Sequence, residues 1–237
     1  MTEKPERLAW LSLVPVFATL SFYGLPSTVR HYGLAPFLPQ FLAYLAIALW
    51  SRHNTQFFQR LGLSAVRLWS GIGWGILVGL LLGTCNTIVI LWGVPALGGD
   101  ISFLKQTPHA QVPTLIMVPW GILLIAVVVE INFRGFLLGR LAALFTGLLD
   151  GQTIRPHSPE RHGRSGSSAA AIGTSSLLFA FDPFMVITFQ HLHWIALWDG
   201  LIWGMLWIQR RNLYIPIVAH AVEVVILYSV VRAWLER

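Results

Sequence analysis

The sequence predicts an all-α protein, a polytopic transmembrane bundle of about seven helices. Hydrophobic residues make up 55% of the 237-residue chain and charged residues only 11%, whereas charged residues are roughly 25% of an average soluble domain. The mean hydropathy is +0.66. The apolar residues also gather in runs of about 20, the length that crosses a hydrocarbon core about 30 Å thick.

Seven apolar runs define the predicted spans. The first run follows Lys4 and Arg7 as a signal peptide would, but its length and the lack of a small-residue cleavage site indicate a retained span. The second and sixth runs are short, which leaves them open as tilted, paired or partly re-entrant segments. We place the spans at residues 8–25, 35–50, 69–95, 113–133, 168–190, 194–209 and 213–233.

The basic residues between these runs predict the orientation, because positive charges are retained on the cytoplasmic side during insertion. With a cytoplasmic N-terminus, twelve of the sixteen lie in inner segments and four in outer segments, namely Arg30, Lys105, Arg232 and Arg237. We therefore expect an integral protein of the plasma (inner) membrane, with lipid as the partner of its net charge of +6. No basic stripe with interleaved aromatic residues indicates a nucleic-acid partner.

Glycine spacing and polar composition predict which segments pack closely and which connect the spans. The third run carries a glycine at every fourth position from Gly71 to Gly83, and Gly200 and Gly204 repeat this spacing in the sixth run, which is typical of closely packed membrane helices. Residues 51–68 alternate apolar and Arg residues and predict a short interfacial helix. Residues 150–166 predict a flexible cytoplasmic loop, whose His157 and His162 we interpret as solvated, since no third metal ligand accompanies them.

Ionisable groups inside membrane segments cost about 2.5–3.5 kcal/mol each, so each needs a partner or a function. Glu130 and Arg134 share a helix face at a spacing of four, which suits either a structural ion pair or a carboxylate held ready as a base. His220 and Glu223 share a face at a spacing of three, and an imidazole beside a carboxylate favours water activation or metal binding. The full set is Glu130, Arg134, Asp182, His191, His193, Asp199, His220 and Glu223.

Four short pieces of the chain carry a recognisable pattern. They are, in order, Glu130-Ile-Asn-Phe-Arg134-Gly-Phe-Leu, Ser175-Ser-Leu-Leu-Phe179-Ala, Gly200-Leu-Ile-Trp-Gly204-Met-Leu-Trp and Ile215-Pro-Ile-Val-Ala-His220-Ala. In this order they resemble the CAAX-protease and bacteriocin-processing (CPBP, or ABI) family of intramembrane proteases. The resemblance covers about residues 113–228. It implies a division of the chain into N-terminal spans and an interfacial segment at 1–112, and a CPBP-like core with its loop at 113–237.

The resemblance implies catalytic roles for Glu130, Arg134 and His220. The first family motif, Glu-Glu-x-x-x-Arg, falls on residues 129–134, where Val129 replaces the leading Glu that is expected to activate water. A valine cannot accept a proton, so this loss affects general-base catalysis directly.

The other two family motifs are also incomplete. Phe-x-x-x-His keeps Phe179 but has Pro183 at its His, and His-x-x-x-Asn keeps His220 but has Val224 at its Asn. Phe189-Gln-His-Leu-His193 also spells the second motif, yet His193 lies only seven residues before Gly200, too near for the family's usual spacing. A zinc site that uses His220 and Glu223, with His193 as a further ligand, is a variant of this interpretation; no cofactor is required by the sequence.

Two functions follow from the resemblance. The first is an endopeptidase of metallo- or glutamate-dependent type that hydrolyses a membrane-proximal peptide bond of a membrane-anchored protein or peptide. The second is a catalytically inactive family member that acts as a membrane scaffold or an immunity-type binding protein. A transporter or channel is not favoured, since the sequence has neither an inverted repeat nor a train of intramembrane polar groups.

Overall fold

The computed structural model describes residues 6–149 and 166–236, and in that part of the chain every regular element is a helix. The predicted all-α fold is therefore confirmed. The predicted loop, with His157 and His162, lies outside the described residues apart from Gly166. The longer helices are α1 (Leu13–Tyr23), α2 (Leu38–His53), α3 (Leu68–Ile88), α4 (Ile122–Glu130), α5 (Gly139–Leu149), α6 (Gly166–Ala180), α7 (Pro183–Phe189), α8 (Ile195–Arg210) and α9 (Tyr214–Leu235).

Each predicted span falls on one or more of these helices. Three helical stretches of the described chain are long and apolar enough to cross a membrane: Phe57–Ala96, Thr114–Leu148 and Tyr214–Leu235. A fourth is the pair Gly166–Ala180 and Pro183–Leu192, bent by 49°, if it is counted as one broken span. The protein is thus an integral membrane protein in a lipid environment, while the count of seven spans stays a prediction. The helices α2 and α8 have 16 residues each, short of the length of about 20 that spans a bilayer.

Contacts along the chain divide it into two units. Unit 1 comprises Met1–Leu63 and Ile131–Arg211, and unit 2 comprises Ser64–Glu130 and Asn212–Arg237. The division at residue 112 that follows from the family resemblance concerns sequence similarity, and it stays a prediction.

In unit 2, α3 packs against α9 through its glycines. A Cβ atom added at Gly75 would lie 2.5 Å from the Cβ of Val218, and one added at Gly79 would lie 2.6 Å from the carbonyl oxygen of Ala219. Such distances leave no space for a side chain, so the glycine spacing lets the two backbones approach closely. The predicted packing role of the third span is confirmed.

In unit 1, α6 and α8 are neighbours at Gly200, where an added Cβ would lie 3.0 Å from the Cβ of Ser176. The indole Nε1 of Trp207, also on α8, donates a hydrogen bond to the carbonyl oxygen of Leu61 at 3.1 Å. Leu61 ends the short helix Phe57–Leu61, so the predicted short helix is present within residues 51–68. Its position in the membrane interface stays a prediction.

The stretch Thr114–Leu148 is not a regular α-helix. It widens to π-helix at Met117–Gly121 and again at Ile131–Leu138. π-Helical turns occur mostly as local bulges and are frequent at functional sites. The second π segment begins directly after Glu130, so the α-helical spacing assumed for Glu130 and Arg134 does not apply between them.

Candidate active site

Two of the predicted site residues meet within unit 2. Glu130 is the last residue of α4, and His220 lies in the second turn of α9. The Nδ1 atom of His220 is 2.9 Å from Oε1 of Glu130. Glu130 is fully buried at 0% exposure, and His220 is 8% exposed. The sequence placed these residues in separate motifs, and the structure joins them in one hydrogen-bonded pair.

This hydrogen bond determines what the imidazole ring can do. A carboxylate is an acceptor, so the His220 tautomer that satisfies it carries the proton on Nδ1 and donates to Glu130. The second ring nitrogen, Nε2, is then the basic atom. A hydrogen bond to an ionised acceptor is shorter and stronger than one to a neutral acceptor. Burial strengthens it further, because the dielectric constant is lower in the protein interior than in water.

Glu223, one turn further along α9, binds a different partner. Its Oε1 accepts a hydrogen bond of 2.6 Å from the side-chain amide of Asn86 on α3, and both residues are buried. A Cβ added at Gly83 would lie 3.1 Å from the Cα of Glu223, so the glycine brings the α3 backbone close enough for Asn86 to reach the carboxylate. Sequence reasoning missed Asn86, although an amide within an apolar run was a usable signal.

His109 is a second residue that sequence reasoning missed. It belongs to the short helix Pro108–Gln111, outside the spans, where the Thr107 hydroxyl accepts from the Ala110 N–H. Burial and the neighbouring His220 lower the pKa of His109 below its usual 6.5. The following residues are tied to α9 by the Tyr228 hydroxyl, which donates to the Val112 carbonyl at 3.3 Å. His109 lies outside the apolar runs, so the cost of burying an ionisable group in a membrane segment does not single it out.

Arg134 lies in unit 1, in the second π-helical segment, and is 1% exposed. Its guanidinium Cζ is 4.2 Å from the ring centroid of Phe179 and 5.0 Å from that of Trp203. Aromatic faces attract a guanidinium, and burial increases the attraction to about 2 kcal/mol or more. The Arg of the first family motif thus packs against the Phe of the second.

Position 183, where the second motif has its His, is the start of a helix. The Asp182 side chain caps α7 by accepting from the backbone N–H of Phe184 at 3.0 Å. Pro183 follows as the first helical residue, a position where proline is favoured because its missing N–H has no intrahelical partner. Asp182 and Pro183 therefore start a helix at the place where the second family motif has its His.

His193, the alternative motif histidine, lies in unit 1. Its Nδ1 is 2.5 Å from the Gln190 carbonyl oxygen, and its ring packs edge-on against Phe181 at 5.2 Å. Among the described residues, no group of three or more His, Cys, Asp or Glu side chains is arranged to hold a metal ion. Zinc binding by His220 and Glu223 stays a prediction of the sequence.

Comparison with known proteins identifies one family. Residues 111–226 match the family described as type II CAAX prenyl endopeptidase Rce1-like. Comparison with curated proteins and with solved structures gives no significant match. The matched stretch includes Glu130, Arg134 and His220, together with all four pieces that carry the resemblance in the sequence. Residues 111–226 are thus similar to the Rce1-like family of type II CAAX prenyl endopeptidases, which agrees with the family resemblance seen in the sequence.

Proposed function

We propose that this protein is an intramembrane endopeptidase that hydrolyses a membrane-proximal peptide bond with a water molecule activated by Glu130 and His220. The observation that carries the proposal is the 2.9 Å hydrogen bond between these two buried side chains on different helices. A carboxylate that holds an imidazole by Nδ1 orients it as a general base, the role that such pairs have in acyl transfer. The Rce1-like match over the same helices supports the reaction class.

The proposed reaction moves one proton from water to His220 and then to the leaving amine. His220 Nε2 takes a proton from water while the water oxygen attacks the carbonyl carbon of the substrate peptide. Glu130 stabilises the imidazolium that results, because it keeps its hydrogen bond to Nδ1. The tetrahedral intermediate then breaks at its C–N bond, and the imidazolium proton passes to the leaving amine. The sequence left both Glu130 and His220 open as residues that assist the water; the hydrogen bond favours His220 as base with Glu130 as its partner.

The proposed setting follows from the apolar helices and the charge distribution. The proposed substrate is a membrane-anchored protein or peptide, because the pair is carried by α4 and α9, which belong to stretches long and apolar enough to cross a membrane. The excess of basic residues in the predicted inner segments supports a plasma (inner) membrane protein with a cytoplasmic N-terminus.

The test is cleavage by the purified full-length protein in detergent. Lipidated and unmodified membrane-anchored peptides are offered to the wild type and to Glu130→Ala and His220→Ala variants. We expect cleavage by the wild type and its loss in both variants. His31→Ala is the matched control, because His31 is exposed and its Nδ1 bonds locally, to the carbonyl oxygen of Ser27 four residues earlier. Metal analysis of the same sample tests the zinc variant.

A second candidate is a catalytically inactive scaffold or immunity-type binding protein. The residues Val129, Pro183 and Val224 at motif positions favour it, since none of them can donate or accept a side-chain proton. This candidate predicts no turnover of any peptide by wild-type protein that is folded. Retention of a membrane partner by the wild type and by His220→Ala alike then supports the scaffold.

A further inference from the structure

A buried carboxylate that is not part of the proposed catalytic pair lies in unit 1. Asp182 occupies the break between α6 and α7 and is 2% exposed. Its Oδ1 accepts hydrogen bonds from the side-chain amide of Gln40 on α2 at 2.9 Å and from the Phe184 backbone N–H at 3.0 Å. The backbone N–H of Met185 also bonds to this carboxylate. All three donors are neutral, so they satisfy hydrogen bonds and leave the charge of the carboxylate uncompensated.

Within residues 6–149 and 166–236, no Lys, Arg or His forms an ion pair with Asp182. The nearby Tyr23 hydroxyl is neutral and donates to the Phe181 carbonyl oxygen at 2.7 Å. An isolated carboxylate in an apolar environment is strongly disfavoured and has to acquire a counter-charge or a proton. Something must therefore neutralise Asp182.

The same carboxylate lines a small cavity with a second unusual group. Asn132, which is 3% exposed, also lines this cavity, and its Oδ1 has no hydrogen-bond partner among the described residues. Gln40 and the buried Thr19 complete the polar part of the wall. The space accommodates one particle of about the size of a water molecule.

We propose that Asp182 and Asn132, with Gln40 and Thr19 beside them, bind one sodium ion in this cavity. Carboxylate, amide and hydroxyl oxygens are ligands of hard cations. One positive charge neutralises the single carboxylate and also gives Asn132 Oδ1 a partner.

Two other occupants meet these requirements in part. A proton on Asp182 removes the charge, and it supplies a donor to Asn132 Oδ1 only where the protonated carboxyl group lies within hydrogen-bond reach of that oxygen. A water molecule bonds to Asn132 and leaves the carboxylate uncompensated. The site is distinct from Glu130 and His220, and its occupation does not depend on peptidase activity.

The experiment measures thermal unfolding of the full-length protein in detergent while NaCl replaces choline chloride at constant ionic strength. Preferential binding to the folded state raises the Tm with the logarithm of the ion concentration, by about 3 °C for each tenfold increase above the dissociation constant. We expect this rise in the wild type, its loss in Asp182→Asn and a weaker response in Asn132→Leu. Asp100→Asn is the control, because Asp100 is exposed and bonds to Ser102.

A direct measurement keeps the proposal testable if Asp182→Asn fails to fold. Binding of radioactive ²²Na⁺ to the wild type, displaced by excess unlabelled NaCl but not by choline chloride, is expected with about one ion per chain. Absence of saturable binding overturns the proposal. A Tm that still rises with sodium in Asp182→Asn also overturns it. A wild-type Tm that depends on pH and not on sodium overturns it as well, because that result assigns a proton to Asp182.

Discussion

Replacement of Glu130 by glutamine tests the proposed pair with the smallest change in shape. Glutamine keeps the side-chain length and a carbonyl oxygen that can still accept from His220 Nδ1. It removes the negative charge that lies 2.9 Å from that nitrogen. The variant therefore separates the electrostatic role of Glu130 from its role in holding the ring.

The expected magnitude follows from this distance. Two unit charges 2.9 Å apart attract by about 6 kcal/mol at an effective dielectric constant of about 20. This attraction exists only when His220 is an imidazolium, the form that develops in the transition state. The loss of solvation on burial offsets part of it. A net loss of about 4 kcal/mol corresponds to a decrease in kcat of about a thousandfold.

The assay is single-turnover cleavage of a membrane-anchored peptide, with product measured by mass spectrometry. Thermal unfolding of the same preparation is the control for folding, and we expect a Tm close to that of the wild type because the hydrogen bond is retained. A Glu130→Gln variant that keeps activity within tenfold of the wild type refutes the role given to the carboxylate.

Three further perturbations test the packing, the aromatic contact and the buried imidazole. Gly75→Val forces a Cβ to 2.5 Å from a neighbouring side chain, and we expect a lower Tm than for Gly73→Ala, whose Cβ meets nothing within 4 Å; equal Tm values contradict the packing. Arg134→Lys exchanges a planar cation stacked on Phe179 for a compact one, and a loss of about 1–2 kcal/mol in unfolding free energy is expected; denaturant titration that shows no loss counts against the contact. The lowered pKa of His109 means that the folded state binds fewer protons than the unfolded state, so stability falls as the pH drops below about 6.5. We expect a smaller fall in His109→Gln between pH 7.5 and 5.5, and an equal fall contradicts the assignment.

The helices were largely predictable because the bilayer imposes a simple rule on sequence. Runs of about 20 apolar residues with few charges mark membrane helices. The glycine at every fourth position of α3 equally predicted close packing, since this spacing keeps small residues on one helix face. Both patterns are local in sequence, so no partner residue had to be known.

The candidate site was only half predictable because its contacts join distant positions. Glu130 and His220 were identified from their motifs, while their hydrogen bond depends on how α4 and α9 pack. Asn86 and His109 lacked a motif, and their relevance appears only when α3 and the segment before the fourth span lie against α9. The π-helix after Glu130 was also missed, since apolar periodicity does not distinguish it from an α-helix.

Peptide hydrolysis in water enriched in ¹⁸O tests the central claim most directly. The full-length protein in detergent is incubated with a membrane-anchored peptide, and the products are analysed by mass spectrometry. The proposed mechanism predicts cleavage with ¹⁸O in the new carboxyl terminus, and no cleavage by His220→Ala that is folded. Absence of cleavage by the folded wild type, or cleavage that His220→Ala retains in full, contradicts the proposed peptidase mechanism.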